Sequence, residues 1–301
     1  MPVHLEPDPD SPESVPSGAD AMIAPAPVNA ACAPFASANS LDYHDLEKSA
    51  DTAIAFGRVL MECGAPVRVI EQVARLVAQG LGVRPIGLRT GYASLTLTVS
   101  GGGHRVTRMR PVARHGVNHR LDRAVRELAE DVAINGGQWE DVRARLDRLV
   151  VQTPRHSPLV VAVGTGAACA GFGQLLGMDW AATGPVFLAG TLGQWTRHTL
   201  LHKGINLFVM AAIVAFVAAG VGGLMALGAG SQSVGIATIA STLLLVPGVP
   251  ATNAQTDIIE GFPTVGSARA VTVAMLMIFA SCGIWFADAL IRSLSATMGA
   301  P

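Results

Sequence analysis

The residues best placed to do chemistry are Pro247-Gly248-Val249-Pro250 and the Ala251-Thr252-Asn253-Ala254-Gln255-Thr256-Asp257 that follows. Two prolines around a glycine cannot sustain an unbroken helical hydrogen-bond ladder, so backbone groups must be freed there. In lipid such groups need protein or water, which confines a broken helix to the wall of a cavity. Transporters use breaks of this kind to aim backbone dipoles and polar side chains at a substrate. Asn253 and Asp257 stand four apart and share a face of the helical continuation. An intramembrane carboxylate can exchange a proton, so Asp257 is a candidate carrier of a coupling proton. Arg197 stands far upstream where an apolar stretch ends, and His198 and His202 beside it are further proton sites or headgroup-level residues. The plainer alternative is a proline kink with Asp257 at the cytoplasmic end of a span.

The elements that position these residues follow from charge and hydropathy. Half of the 301 residues are hydrophobic and 14% are charged, against about one quarter charged in an average soluble domain. The first 156 residues carry 35 of the 43 charged side chains. A net charge of −1 argues against a nucleic-acid partner. Residues 1–40 hold eight prolines, five acidic residues and no Lys or Arg, which reads as a disordered acidic tail with no secretory or transit signal.

Residues 41–156 read as a cytoplasmic α/β domain. Helices are expected over 41–63 and 66–80, then a strand from Tyr92 to Val99 that alternates Leu95, Leu97 and Val99 with Ser94, Thr96 and Thr98. Gly101-Gly102-Gly103 turns the chain into a second strand at 105–109, and helices follow over 119–134 and 138–150. The seven arginines between Arg105 and Arg126 form either a face paired with nearby acids or a basic surface for anionic headgroups or substrate. His115 and His119 lack a third ligand nearby, and the scattered Cys32, Cys63, Cys169 and Cys282 show no pairing motif, so no metal and no disulfide is expected.

Residues 157–301 read as a transmembrane domain with spans at 158–178, 180–200, 205–228, 234–256 and 270–288, one of them broken. The fold class is therefore an α-helical integral membrane protein with an N-terminal cytoplasmic α/β domain. Basic residues precede the first span and lie between the second and third, which places the N-terminus in the cytoplasm and the C-terminus outside. Gly164, Gly166, Gly171 and Gly173, with Gly220, Gly222 and Gly223, suit close helix packing.

Residues 243–257, LLLVPGVPATNAQTD, resemble the LVPG-[VF]-P-x-x-NA-x-x-D signature of the threonine/serine exporter family. Three further elements resemble that family: the helical Gly57-Arg58-Val59-Leu60-Met61-Glu62-Cys63-Gly64-Ala65, the Arg114-His115-Gly116-Val117-Asn118 after the basic strand, and Arg197 with Ile205-Asn206 around the second and third spans. The similarity covers about residues 45–290 and is most specific in the PGVP segment.

The resemblance implies a bacterial inner-membrane secondary exporter of a small polar carboxylate, threonine/serine or a dicarboxylate such as succinate, driven by the proton gradient. Arg197, Asn206, Pro247, Gly248, Pro250, Asn253 and Asp257 are its implied translocation residues. The second, smaller membrane module of full-length members is absent here, so the chain resembles the larger subunit of the split branch and a small membrane subunit is the expected partner. No Gly-x-Ser-x-Gly elbow, His-Glu-x-x-His pair or phosphate loop occurs, so no catalytic residue and no cofactor is expected. The other readings are a membrane-anchored enzyme and a substrate-sensing regulatory subunit, each acting through the cytoplasmic domain.

Overall fold

A computed structural model describes residues 42–112, 116–154 and 156–298. The expected acidic tail, Cys32, Arg114-His115 and Arg155 lie outside the described residues. Asp42 accepts the Tyr43 N–H and starts α1 (Tyr43–Glu62), which buries Leu46, Ile54, Phe56 and Leu60. A short turn leads to α2 (Val67–Gly80), whose apolar stripe of Ile70, Val73 and Val77 joins the same core.

Three strands follow, β1 (Arg84–Thr90), β2 (Ser94–Gly101) and β3 (His104–Pro111), paired antiparallel in the order β1-β2-β3. Leu95, Leu97 and Val99 of β2 are buried while Ser94, Thr96 and Thr98 between them are not, the alternation expected of a half-covered sheet. The glycine run closes β2 onto β3 as a hairpin with Gly101 opposite His104. Strand β1 is an addition to the sequence reading. Pro85 and Gly87 disfavour a strand, and they are tolerated because β1 lies at the sheet edge and its register slips between those two residues. The helices α3 (His119–Asn135) and α4 (Trp139–Gln152) complete this layer, with Val125, Val132 and Leu146 buried in its core. Much of the arginine run is paired: Arg108 with Glu47 and Asp51, Arg110 with Asp51, and Arg126 with Asp122.

The rest is a helical bundle. It comprises α5 (Pro158–Leu175), α6 (Thr183–His202), α7 (Leu207–Gly228), the short α8 (Val234–Ser241), α9 (Gly248–Ile259) and α10 (Pro263–Met298). Among the described residues α5, α7 and α10 are long and apolar enough to cross a membrane, and the bent pair of α8 and α9 makes a fourth candidate. The span expected at 180–200 corresponds to α6. That helix is 20 residues long but is not among the apolar candidates, because its second half carries Gln194, Arg197, His198 and His202. The helix that contains the last expected span, α10, is longer than 270–288, since it begins at Pro263 and takes in Arg269.

At one end of the bundle Asp179, in the corner before α6, accepts the Ser231 hydroxyl at 2.8 Å and the Gln232 N–H at 2.7 Å, tying that corner to the turn after α7. Desolvation pushes its carboxyl up, but these hydrogen bonds and that of the Ala182 N–H outweigh it and hold the group below the ordinary carboxylate range.

Small residues set the helix spacing. A Cβ on Gly166 would lie 2.1 Å from Thr191 Oγ1 and 2.4 Å from the Phe187 carbonyl oxygen of α6, and one on Gly283 would lie 2.2 Å from the Ala212 carbonyl oxygen of α7. Not every expected packing glycine is used so, for nothing lies within 4 Å of a Cβ on Gly164 or Gly171. Gly166→Ala is therefore expected to destabilise the bundle by about 1–3 kcal/mol through overpacking against backbone that cannot yield. Gly164→Ala should leave thermal unfolding of the detergent-solubilised protein unchanged. Equal unfolding temperatures for the two variants would contradict this packing.

Candidate substrate cavity and its interlock

The helix break has a defined geometry. After a 3-10 turn at Leu243–Leu245 the backbone extends at Val246, and Pro247 adopts φ −83°, ψ 60°. This is an inverse γ-turn, closed by the Gly248 N–H donating to the Val246 carbonyl at 2.9 Å. Pro250 then falls in the first turn of α9, where no intrahelical acceptor is needed. The two halves meet at 61°. Arg197 Nη1 reaches the freed Leu244 carbonyl at 3.4 Å, so α6 supplies a donor the broken ladder lacks.

Around the break is a cavity of about 860 Å³. Gln194, Arg197 and His198 of α6 form one wall, Leu207 and Met210 of α7 and Thr272 and Leu276 of α10 others, and residues 244–250 with Asn253 the break itself. The N-terminal layer contributes Gly64, Tyr92, Gly116 and Val117, with the Tyr92 hydroxyl 3.2 Å from Thr272 Oγ1. Among the described residues no Asp or Glu lines the cavity, and no carboxylate pairs with Arg197. His198 lines it too, its ring edge-on to that of the exposed His202 at 4.5 Å between centroids. Of the implied translocation residues, Arg197, Pro247, Gly248, Pro250 and Asn253 meet on this cavity. Asn206 does not. It is exposed and caps α7, accepting the Phe208 N–H at 2.9 Å.

Asp257 is placed beneath the cavity in a contact with the N-terminal layer. The turn between α1 and α2 bonds its own N–H groups back to the end of α1, but several of its carbonyls and the first N–H of α2 must find partners elsewhere. Glu62 and Cys63 carbonyls accept the N–H groups of Gly116 and Asn118, at 2.9 and 3.2 Å. The next carbonyls go to side chains of the bundle: Gly64 to Asn253 Nδ2 at 2.5 Å and Ala65 to Arg269 Nη2 at 3.0 Å. Pro66 precedes α2 and has no side chain to cap it, so the Val67 N–H donates to Asp257 Oδ1 at 2.8 Å. Asp257 is thus the N-terminal cap of α2, supplied by a residue 190 positions later, where a negative charge also suits the helix dipole. Its other oxygen takes Arg269 Nη1 at 2.6 Å, in an ion pair whose side chains are 0% and 7% exposed. A second pair at the edge, Arg68 with Glu260 at 3.1 Å, reinforces the contact.

Backbone geometry brings these groups together. Gly64 sits at φ +84°, and a Cβ there would lie 2.5 Å from the Gly116 carbonyl oxygen. The tight turn at Gly261, with Phe262 N–H donating to the Asp257 carbonyl at 2.7 Å, folds α10 back on α9 and sets Arg269 against Asp257. Sequence reasoning missed Arg269, a charge at the edge of an apolar stretch that looked like a span boundary. The signal that could have found it is the need of a buried Asp257 for a cation. Glu71, elsewhere on α2, has its carboxyl pushed up by burial, only partly offset by Arg75 and Thr90, and does not line the cavity.

A multi-pass helical membrane protein with a broken helix at a polar-edged cavity has the architecture of a transport protein. The chain belongs to the family described as "Putative threonine/serine exporter", whose profile matches residues 51–291. It is similar to the "Probable succinate transporter subunit YjjP" of Klebsiella aerogenes, 28% identical over 224 residues that cover 74% of this chain and 86% of that one. The protein of the same name from Escherichia coli strain K12 is 26% identical over 230 residues, 76% and 89% of the two chains. No solved structure matches.

Removing one partner of a buried ion pair strands the other charge, at a cost of about 3–5 kcal/mol. Asp257→Asn and Arg269→Gln are each expected to lower the thermal unfolding temperature substantially. The double variant Asp257→Leu with Arg269→Met regains part of the loss, because no charge is left unpaired. Additive losses in the double variant would rule out the pairing.

Proposed function

We propose that the chain is the larger membrane subunit of a secondary exporter for small carboxylates, with a dicarboxylate as substrate rather than zwitterionic threonine or serine. The observation that supports this is Arg197, a cation on the cavity wall with no carboxylate partner among the described residues. A partly buried guanidinium is costly to leave without an anion, and its planar fork matches a carboxylate. A zwitterion would also need an anionic site for its ammonium, and no Asp or Glu among the described residues lines the cavity. The two relatives named as succinate transporter subunits agree with a dicarboxylate and with a partner subunit.

In this reading the N-terminal layer is the cytoplasmic domain, bounded as 41–156, and the C-terminus lies on the opposite side of a bacterial inner membrane, with α6 crossing inside the bundle. The proton gradient drives export. Asp257 is committed to Arg269 and the Val67 N–H, so both of its oxygens are occupied before any coupling proton arrives.

Counterflow in proteoliposomes holding the chain with its partner subunit tests this, using labelled succinate, threonine and serine in turn. Succinate should exchange and the amino acids should not. Arg197→Gln should abolish exchange, while Arg197→Lys keeps a weakened activity with raised KM. Exchange of threonine or serine but not succinate would overturn the dicarboxylate reading.

A further inference from the structure

The cavity has walls from two sources, and the N-terminal layer contributes two glycines, Gly64 and Gly116, beside Tyr92 and Val117. Gly64 and Gly116 lie side by side there, joined through the Gly116 N–H to the Glu62 carbonyl at 2.9 Å. The same turn is held to the bundle by Asn253, Asp257 and Arg269. Asn253 and Arg269 serve both surfaces, since each lines the cavity and each holds a carbonyl of the turn.

We propose that the turn at 62–67 is the gate on the N-terminal-domain side of the cavity, and that Asp257 and Arg269, with Asn253, form the latch that holds it shut. This rests on reading the cavity as the translocation site. Arg269 is a positioning residue in it, acting through the turn.

The chemistry of the contact suits a reversible closure. An apolar seal gains stability in proportion to the area it hides and loses all of it on opening. A buried ion pair behaves differently. Its attraction is largely offset by the desolvation of both ions, so opening it to water returns hydration in place of the lost contact. The amide of Asn253 and the backbone groups of Gly64, Ala65 and Val67 likewise exchange one hydrogen bond for another. The closed state is specific, because every donor faces an acceptor, yet it is not deep. Taking away one member changes that balance, since the remaining charge can be satisfied only by water and therefore favours the open state. The turn can move as a unit, for its own N–H groups at Gly64 and Ala65 bond within the end of α1, to the Met61 and Leu60 carbonyls.

The test reads access rather than transport. A reporter cysteine, Val273→Cys, is placed on the cavity wall in a chain with Cys32, Cys63, Cys169 and Cys282 changed to Ala. Together with the partner subunit it is labelled by a membrane-impermeant maleimide in inverted vesicles, which expose the cytoplasmic face. With the latch intact labelling should be slow. Arg269→Gln should speed it about ten-fold or more, and Asn253→Ala, which removes a hydrogen bond without stranding a charge, should speed it less. Arg269→Lys should restore slow labelling. Melting curves identify the variants that fold; if Arg269→Gln does not, Asn253→Ala decides. Unchanged labelling in a folded latch variant overturns the gate. Because no substrate is added, that result would leave the carboxylate reading standing, and a failed counterflow assay would leave the gate standing.

Discussion

The most buried contact between the two layers depends on satisfying one turn. Between α1 and α2 the chain reverses with its backbone polar groups turned toward the bundle, and buried backbone groups do not go unpaired. Two of the carbonyls are met by the segment before α3. Asn253 and Arg269 donate to the carbonyls of Gly64 and Ala65, and Asp257 accepts the Val67 N–H, on helices that fold against each other through a tight turn. The broken helix, the ion pair and the cavity wall follow from that requirement together. If α9 continued straight from α8 instead of turning by 61°, Asn253 and Asp257 would leave the turn and Arg197 would lose the Leu244 carbonyl.

The same residues separate two tasks that the sequence leaves merged. Arg197 and His198 face the cavity, and Asp257 faces the N-terminal layer, although all three are polar groups among apolar segments. Their surroundings decide what each can do. Arg197 keeps only a long contact to a carbonyl and stands on the cavity wall with no carboxylate partner among the described residues. Asp257 has both oxygens engaged, which makes it a structural acceptor.

What was legible in the sequence is what local period and composition record. The alternation in β2, the hairpin at the glycine run, the helix boundaries and the break at Pro247 all reflect preferences acting over a few residues. Strand β1 escaped because Pro85 and Gly87 mask it, and its strand character comes from pairing with β2 alone. The sequence reading places a span over α6 and picks out Arg197 and His198 on it. Their place on a cavity wall, which lets a 20-residue helix carry such groups, comes only from the neighbouring helices. The resemblance motifs at Gly64, Gly116, Arg197 and Pro247 through Asn253 converge on one cavity, a convergence no spacing along the chain reveals. The Asp257–Arg269 pair is the clearest case, since Arg269 differs from other span-edge charges only through a partner on another helix.

The capping of α2 by a residue 190 positions downstream has a consequence for how the protein is made. At about 5–20 residues per second the ribosome needs roughly 10–40 s to reach Asp257 after Val67 has emerged. Throughout that interval the start of α2 and the carbonyls of Gly64 and Ala65 can be satisfied only by water. The N-terminal layer must therefore wait in a hydrated, incompletely anchored form until α9 and α10 are inserted. Its final docking is then a report that membrane insertion has placed the two helices on the correct side.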